Sequence, residues 1–126
     1  MNIAIIPARG GSKRIKNKNS KIFFGKPIIS YAISTALKSK IFQEVIVSTE
    51  NKRLIDISLK AGAKVVKRPI NLSKDKVPVI DVICHVLKKI KKSRIKPDFI
   101  CCIFPVSPMI IKKILLKSLK ILKKKN

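Results

Sequence analysis

Acidic residues, aromatics and cysteines are all scarce in this 126-residue chain: six Asp and Glu stand against 30 Lys and Arg, with one Tyr, no Trp and three Cys. The cysteines exclude a disulfide framework and a zinc site, because Cys84, Cys101 and Cys102 are odd in number and lack metal-ligand spacing. Neighbours on a strand point to opposite faces, so Cys101 and Cys102 read as small apolar fillers. The shortage of aromatics removes the stacking platform of a single-strand nucleic-acid binder. Only five of the cations are Arg, the side chain that forks onto bases and phosphates. The formal charge of +24 therefore reads as lysine abundance, the composition an AT-rich genome writes into any protein, and no specific nucleic-acid partner is expected. Long hydrophobic runs are missing too. The longest, Phe99 to Ile111, is too short to span a bilayer and contains Pro105 and Pro108. The apolar start Met1–Ala8 has no basic lead and runs into Arg9, unlike a signal peptide, so a cytoplasmic protein without membrane association is expected.

What is present is a 46% apolar, 29% charged chain of one-domain length with a regular hydrophobic pattern. Asn2–Ala8, Glu44–Thr49, Lys64–Lys67 and Asp98–Phe104 are short apolar runs that predict strands. Between them, apolar residues fall at helical spacing: Ile28, Ile29, Ala32, Ile33, Ala36 and Leu37 after Pro27; Leu54, Ile55, Ile57, Ser58 and Ala61; and Val79 through Ile90. Asn51 is placed to cap the second helix and Gly62 to stop it. A final helix is predicted over Ile110–Lys124, and Arg9–Lys26 reads as one long polar loop. Buried strands alternating with amphipathic helices predict an α/β fold, a doubly wound and mostly parallel sheet covered on both faces. Ligands in such sheets sit beyond the carboxyl ends of the strands, which directs attention to the first such end, Ala8–Ser12.

That end reads Pro7-Ala8-Arg9-Gly10-Gly11-Ser12-Lys13-Arg14. Two glycines permit a sharp turn and bring N–H groups near an anion, and Arg9, Lys13 and Arg14 supply charge. Neither the P-loop pattern nor the dinucleotide fingerprint is present. Physics alone gives a basic, glycine-turned anion cradle.

The run Ile5-Ile6-Pro7-Ala8-Arg9-Gly10-Gly11-Ser12-Lys13-Arg14-Ile15, followed by Asn17-Lys18-Asn19, closely resembles the signature of CMP-acylneuraminate synthetases and pseudaminic acid cytidylyltransferases. Phe24-Gly25-Lys26-Pro27-Ile28-Ile29, Val45 to Glu50, Arg68-Pro69, Leu72-Ser73 and Cys101-Cys102-Ile103-Phe104 leading to Ser107-Pro108 match in the same order, so the resemblance spans the chain. It implies a Rossmann-like nucleotide-diphospho-sugar transferase fold, Mg²⁺ dependence and a homodimer. The implied reaction is attack of a sugar's anomeric hydroxyl on the α-phosphate of CTP, releasing pyrophosphate. By the same resemblance Arg9 and Lys18 clamp the triphosphate and serve catalysis. Ala8, Gly10, Gly11, Ser12 and Asn19 line the nucleotide, and Arg68 lies near it. The acidic sugar is expected to have nine carbons. Cys101-Cys102-Ile103-Phe104 favours pseudaminic acid over an N-acylneuraminate, because the glutamine, threonine and arginine of the sialate pattern are missing from Phe104 to Ile110. A 3-deoxy-octulosonate cytidylyltransferase is a second reading, against which Gly10-Gly11-Ser12-Lys13 fits less well. A basic, non-catalytic nucleic-acid-binding domain is a third, from another class.

Family members are considerably longer, and their second halves carry the aspartates that hold Mg²⁺, much of the sugar pocket and the dimer arm. Residues 1–126 are accordingly expected to form the N-terminal portion of a nucleotide-binding domain, incomplete and without transferase activity alone. The six acids, Glu44, Glu50, Asp56, Asp75, Asp81 and Asp98, are scattered singly and give no metal site. Lys74, Val77 and Val79 stand where relatives usually carry an acid and threonines. His85, the single histidine, is expected to be packed and hydrogen-bonded rather than to transfer protons.

Overall fold

Successive residues of a strand face opposite sides, and the first apolar run uses that alternation to build two cores. The computed structural model describes residues 1–11, 17–107 and 109–125. Strand β1 (Asn2–Pro7) sends Ala4 and Ile6 to one side, where they pack with Ile29, Ala32, Ile33 and Ala36 of helix α1 (Ile28–Ser39). Leu54 of α2 (Lys52–Lys60) and Leu115 of α4 (Lys112–Lys125) complete that side. Ile3 and Ile5 face the other way, onto Val86 and Ile90 of α3 (Val79–Lys91). Ile3, Ile5 and Ile6 are fully buried, each stabilising the fold by about 1.5–3 kcal/mol through the apolar surface it removes from water.

Four strands form a parallel sheet. β1 lies between β4 (Glu44–Thr49) and β6 (Phe99–Cys102), and β5 (Lys64–Lys67) flanks β4, giving the order β5-β4-β1-β6. Ile3 pairs with Glu44 on one side and with Ile100 on the other. The expected doubly wound arrangement is thus observed, with the order of the strands reversing between β1 and β6. A crevice opens at such a reversal, above the carboxyl ends of the two strands.

Helix α2 starts and stops as its sequence predicts. The Asn51 side chain accepts the Leu54 N–H at 3.1 Å, and Gly62 takes the left-handed conformation (φ 97°) that follows a helix end. Strand β6 is shorter than the predicted Asp98–Phe104, and α4 begins two residues later than predicted. The larger correction concerns Arg9–Lys26, read as one loop. Lys18–Ser20 forms a 3-10 turn, and β2 (Ile22–Phe23) pairs antiparallel with β3 (Lys26–Pro27). Phe24 and Gly25 make the turn with positive φ at both positions. The Tyr31 hydroxyl, donating toward the carbonyl oxygens of Phe23 and Phe24, ties this hairpin to α1. Pro27 accordingly precedes the helix as its cap instead of lying in its first turn.

No helix among the described residues is long and apolar enough to cross a membrane.

Candidate functional site

The crevice at the strand reversal is a cleft of about 530 Å³. Pro7 at the end of β1, Arg68 after β5 and Phe104 to Ser107 after β6 enclose it, and Val79 and Val82 of α3 form its apolar wall. Arg9, Lys18, Asn19 and Lys74 supply the polar side. Its lining combines four cations and Asp75 with apolar side chains, a composition suited to an anionic molecule that also carries a flat ring.

The expected site residues divide into groups. Arg9, Lys18, Asn19 and Arg68 come together on the cleft. Ala8 lies beneath it, fully buried, and its N–H is used in the sheet by the Ser48 carbonyl at 2.9 Å. Gly11 is exposed, with open space where a Cβ would lie. Ser12, with Lys13, Arg14 and Ile15 of the same motif, falls outside the described residues. Gly10 is needed for a close approach: a Cβ there would lie 2.6 Å from Asn51 Nδ2 and 2.7 Å from Asn51 Cβ. Its N–H donates to Glu50 Oε1.

Two acids that the sequence leaves scattered therefore converge on the loop. Glu50, expected to have no partner, holds the Gly10 N–H at the end of β4, and Asp75 accepts from the Arg9 guanidinium. Asn19 donates through Nδ2 to the Arg9 carbonyl at 2.8 Å, which fixes the loop from the other side and leaves its Oδ1 buried without a hydrogen bond. Arg68 is 5% exposed and donates to the Ser48 hydroxyl at 3.3 Å and the Ser48 carbonyl at 3.1 Å. Burial pushes the Arg68 guanidinium below its ordinary pKa; the Glu50 carboxylate opposes that shift and the Arg9 cation adds to it. A cation depressed by desolvation and by a like charge gains from an incoming anion, so the cleft around Arg68 favours phosphates.

A phosphate arriving at Arg9 would compete with Asp75 for the Nη1 donor. Asp75→Asn should raise CTP affinity by roughly 1.4- to fivefold, the equivalent of the 0.2–1 kcal/mol typical of a part-exposed pair. Calorimetric titration of the two proteins measures it. Equal or weaker binding by the variant would show that Asp75 does not compete for Arg9.

His85 is half-buried, but its Nδ1 is buried with no hydrogen-bond partner, which corrects the expectation of a fully bonded side chain. Desolvation, then Lys89, Arg68 and Lys88, lower its pKa from the ordinary 6.5. The unfolded chain consequently takes up this proton first on acidification, so stability is full above pH 6.5 and declines as the pH falls toward the folded pKa. His85→Gln should flatten the Tm profile between pH 7.5 and about 5.5. Parallel profiles for the two proteins would refute this assignment.

Among the described residues no group of three or more His, Cys, Asp or Glu comes together to hold a metal ion. Glu50 and Asp75, the acids at the loop, contact Gly10 and Arg9, and Glu50 Oε2 is buried without a hydrogen-bond partner. No chemical step is assigned to a protein-held Mg²⁺, since no such group is assembled among the described residues.

The cytidylyltransferase family model matches residues 3–126. The chain is 43% identical over 115 residues to a pseudaminic acid cytidylyltransferase of Campylobacter jejuni, covering 90% of this chain and 50% of that protein. It is 42% identical over 85 residues to an N-acylneuraminate cytidylyltransferase of Escherichia coli, covering 68% and 20%. Among solved structures, a CMP:2-keto-3-deoxy-manno-octonic acid synthetase complexed with CTP superposes with a TM-score of 0.82 at 24% identity, over 98% of this chain and 47% of that one. That last likeness speaks for the fold alone. The chain spans half the length of the Campylobacter relative, or less in the other cases. With a matching family model over nearly all of its length and the fold and cleft described above, the chain belongs to the cytidylyltransferase family.

Proposed function

We propose that the cleft binds CTP and serves a cytidylyltransferase reaction, in which CMP passes to a nine-carbon acidic sugar, pseudaminic acid in preference to an N-acylneuraminate. The observation that carries this reading is the convergence of Arg9, Lys18 and Arg68 on one cleft at the strand reversal. In the proposed mechanism the triphosphate displaces Asp75 from Arg9 and lies between Arg9 and Lys18. Arg68, anchored on Ser48, adds positive charge from below, and the cytosine ring lies toward Val79 and Val82. Displacement at phosphorus needs in-line positioning and charge compensation more than covalent help, and these side chains supply the charge compensation. The Glu50 carboxylate holds Gly10 so that the main chain of the loop keeps one shape while the ligand enters.

The preference for pseudaminic acid draws support from the 43% identity to the Campylobacter enzyme and from the Cys101-Cys102-Ile103-Phe104 run. One titration series tests the reading: CTP with Mg²⁺ against ATP, GTP and UTP, and against duplex DNA at rising salt. CTP is expected to bind best and DNA weakly, without sequence preference and with steep salt dependence. Sequence-selective DNA binding that survives moderate salt, with no preference among nucleotides, would overturn it. Pyrophosphate release with pseudaminic or N-acylneuraminic acid checks the remaining expectation, that residues 1–126 bind nucleotide without turnover alone; release by this chain would overturn it.

A further inference from the structure

The single histidine of the chain, His85, stands one turn along α3 from Val82, a wall residue of the cleft. The chain already closes over its Nδ1 and offers that nitrogen no hydrogen bond, and nothing in the proposed mechanism uses it. Leaving a buried polar atom unpaired is costly, so such an atom calls for a role. Three charges act on the ring, and all are positive: Lys89 and Lys88 of α3 itself, and Arg68 from beyond β5. The sheet beneath this face of α3 contributes the apolar side chains Ile3 and Ile5 of β1, Ile46 of β4 and Val66 of β5. Arg68 is thus the charged group that reaches His85 from another element.

Arg68 belongs to both places. It lines the cleft, is 5% exposed, and donates through Nε and Nη2 to Ser48. Its Nη1 makes no hydrogen bond among the described residues, which leaves a donor for a ligand. In the free chain Arg68 and the two lysines oppose a positive imidazole. An anion seated on Arg68 offsets that cation, and the offset reaches the ring because buried charges are little screened. We propose that His85 is a proton site coupled to the cleft: a phosphate-bearing anion that engages Arg68 draws a proton onto the imidazole, and the chain in turn holds that anion more tightly as the pH falls. Linkage makes the two effects equal in size. Above neutral pH the ring is neutral with and without ligand, and affinity is at its base value. On acidification the liganded chain takes up the proton first, so affinity rises. The identity of the anion rests on the nucleotide reading; the coupling rests on Arg68 and His85.

One imidazole signal reports the proton directly, because the chain holds one histidine. The His85 Cε1–H resonance is followed by NMR from pH 8 to pH 5.5 in the 126-residue chain alone, with CTP, and with inorganic tripolyphosphate, which lacks base and sugar. The free midpoint is expected below 6.5. Either triphosphate should raise it by at least about half a pH unit, equivalent to about a threefold gain in affinity below both midpoints. Calorimetry in two buffers of different ionisation enthalpy should find proton uptake near pH 6 that His85→Gln lacks. The variant also subtracts the ligand's own phosphate, which titrates at about pH 6. At pH 8 His85→Gln should bind CTP as the wild type does. A midpoint unmoved by bound triphosphate, or equal proton uptake by the two proteins, would overturn the inference. A shift with tripolyphosphate but no binding of CTP would sustain the coupling and count against the nucleotide reading instead. Absence of binding by both anions would overturn both.

Discussion

Replacing Arg9 with alanine is expected to weaken CTP binding by about tenfold or more, since charge-assisted phosphate contacts are worth roughly 1.5–3 kcal/mol each. Arg9 lies on the cleft beside Lys18, and its guanidinium can accommodate two phosphate oxygens at once. Arg9→Lys keeps the charge but loses that fork, so it should fall between wild type and alanine. Folding is expected to change little. The Arg9–Asp75 pair is 30% and 29% exposed at its two side chains, and pairs of that kind contribute about 0–1 kcal/mol. Calorimetry for affinity and thermal melting for stability therefore separate the two roles. Unchanged affinity in Arg9→Ala would remove the loop from the nucleotide site.

Gly10→Ala should cost about 2 kcal/mol of stability, and with it a fall of several degrees in Tm. The added methyl group would meet Asn51 at 2.6–2.7 Å, and Asn51 cannot give way freely because it caps α2 through the Leu54 N–H. Either the loop lifts and loses the Glu50 contact, or the cap breaks at a cost of about 1 kcal/mol. Gly11→Ala is the internal control: nothing lies within 4 Å of its Cβ position, so it should be nearly neutral. Asn51→Gly removes the obstacle at a cost of only a few tenths of a kcal/mol at the cap, so the Gly10→Ala penalty should shrink in that background. Thermal melts of the four proteins complete the cycle. An undiminished penalty would place the strain elsewhere than Asn51.

Much of this architecture is legible in the residues. Glu44–Thr49 and Lys64–Lys67 appear as strands with the predicted boundaries, because apolar runs flanked by polar residues have few other ways to be buried. The cap at Asn51 and the stop at Gly62 are local chemistry and follow from local sequence. The β2–β3 hairpin escapes notice because strands of two residues fall below any period that can be counted. For the site, Arg9, Lys18, Asn19 and Arg68 follow from resemblance, and the cleft brings them together. Glu50 and Asp75 do not follow, since their partners lie 40 and 66 residues away and no spacing rule connects them. Glu50 stands in a matching run, Val45 to Glu50, but its task emerges only when the end of β4 is laid beside the end of β1. His85 shows the opposite difficulty: its helix position is legible, while the isolation of Nδ1 depends on what other elements leave around it.

The central place of β1 has a consequence for synthesis of the chain. Ile3 leaves the ribosome well before its neighbours in the sheet, Glu44 and Ile100. Until residues 99–102 emerge, a nascent sheet of β5, β4 and β1 would present one side of β1, with its fully buried isoleucines, as an open edge. Loop closure over so many residues is slow compared with helix formation, and an exposed apolar strand invites misassembly in the interval. The contact between the Met1 nitrogen and Asp98, immediately before β6, joins two strands that lie far apart in the sequence. Translation speed over the codons that precede β6 thereby becomes a determinant of how much of this protein reaches its native state.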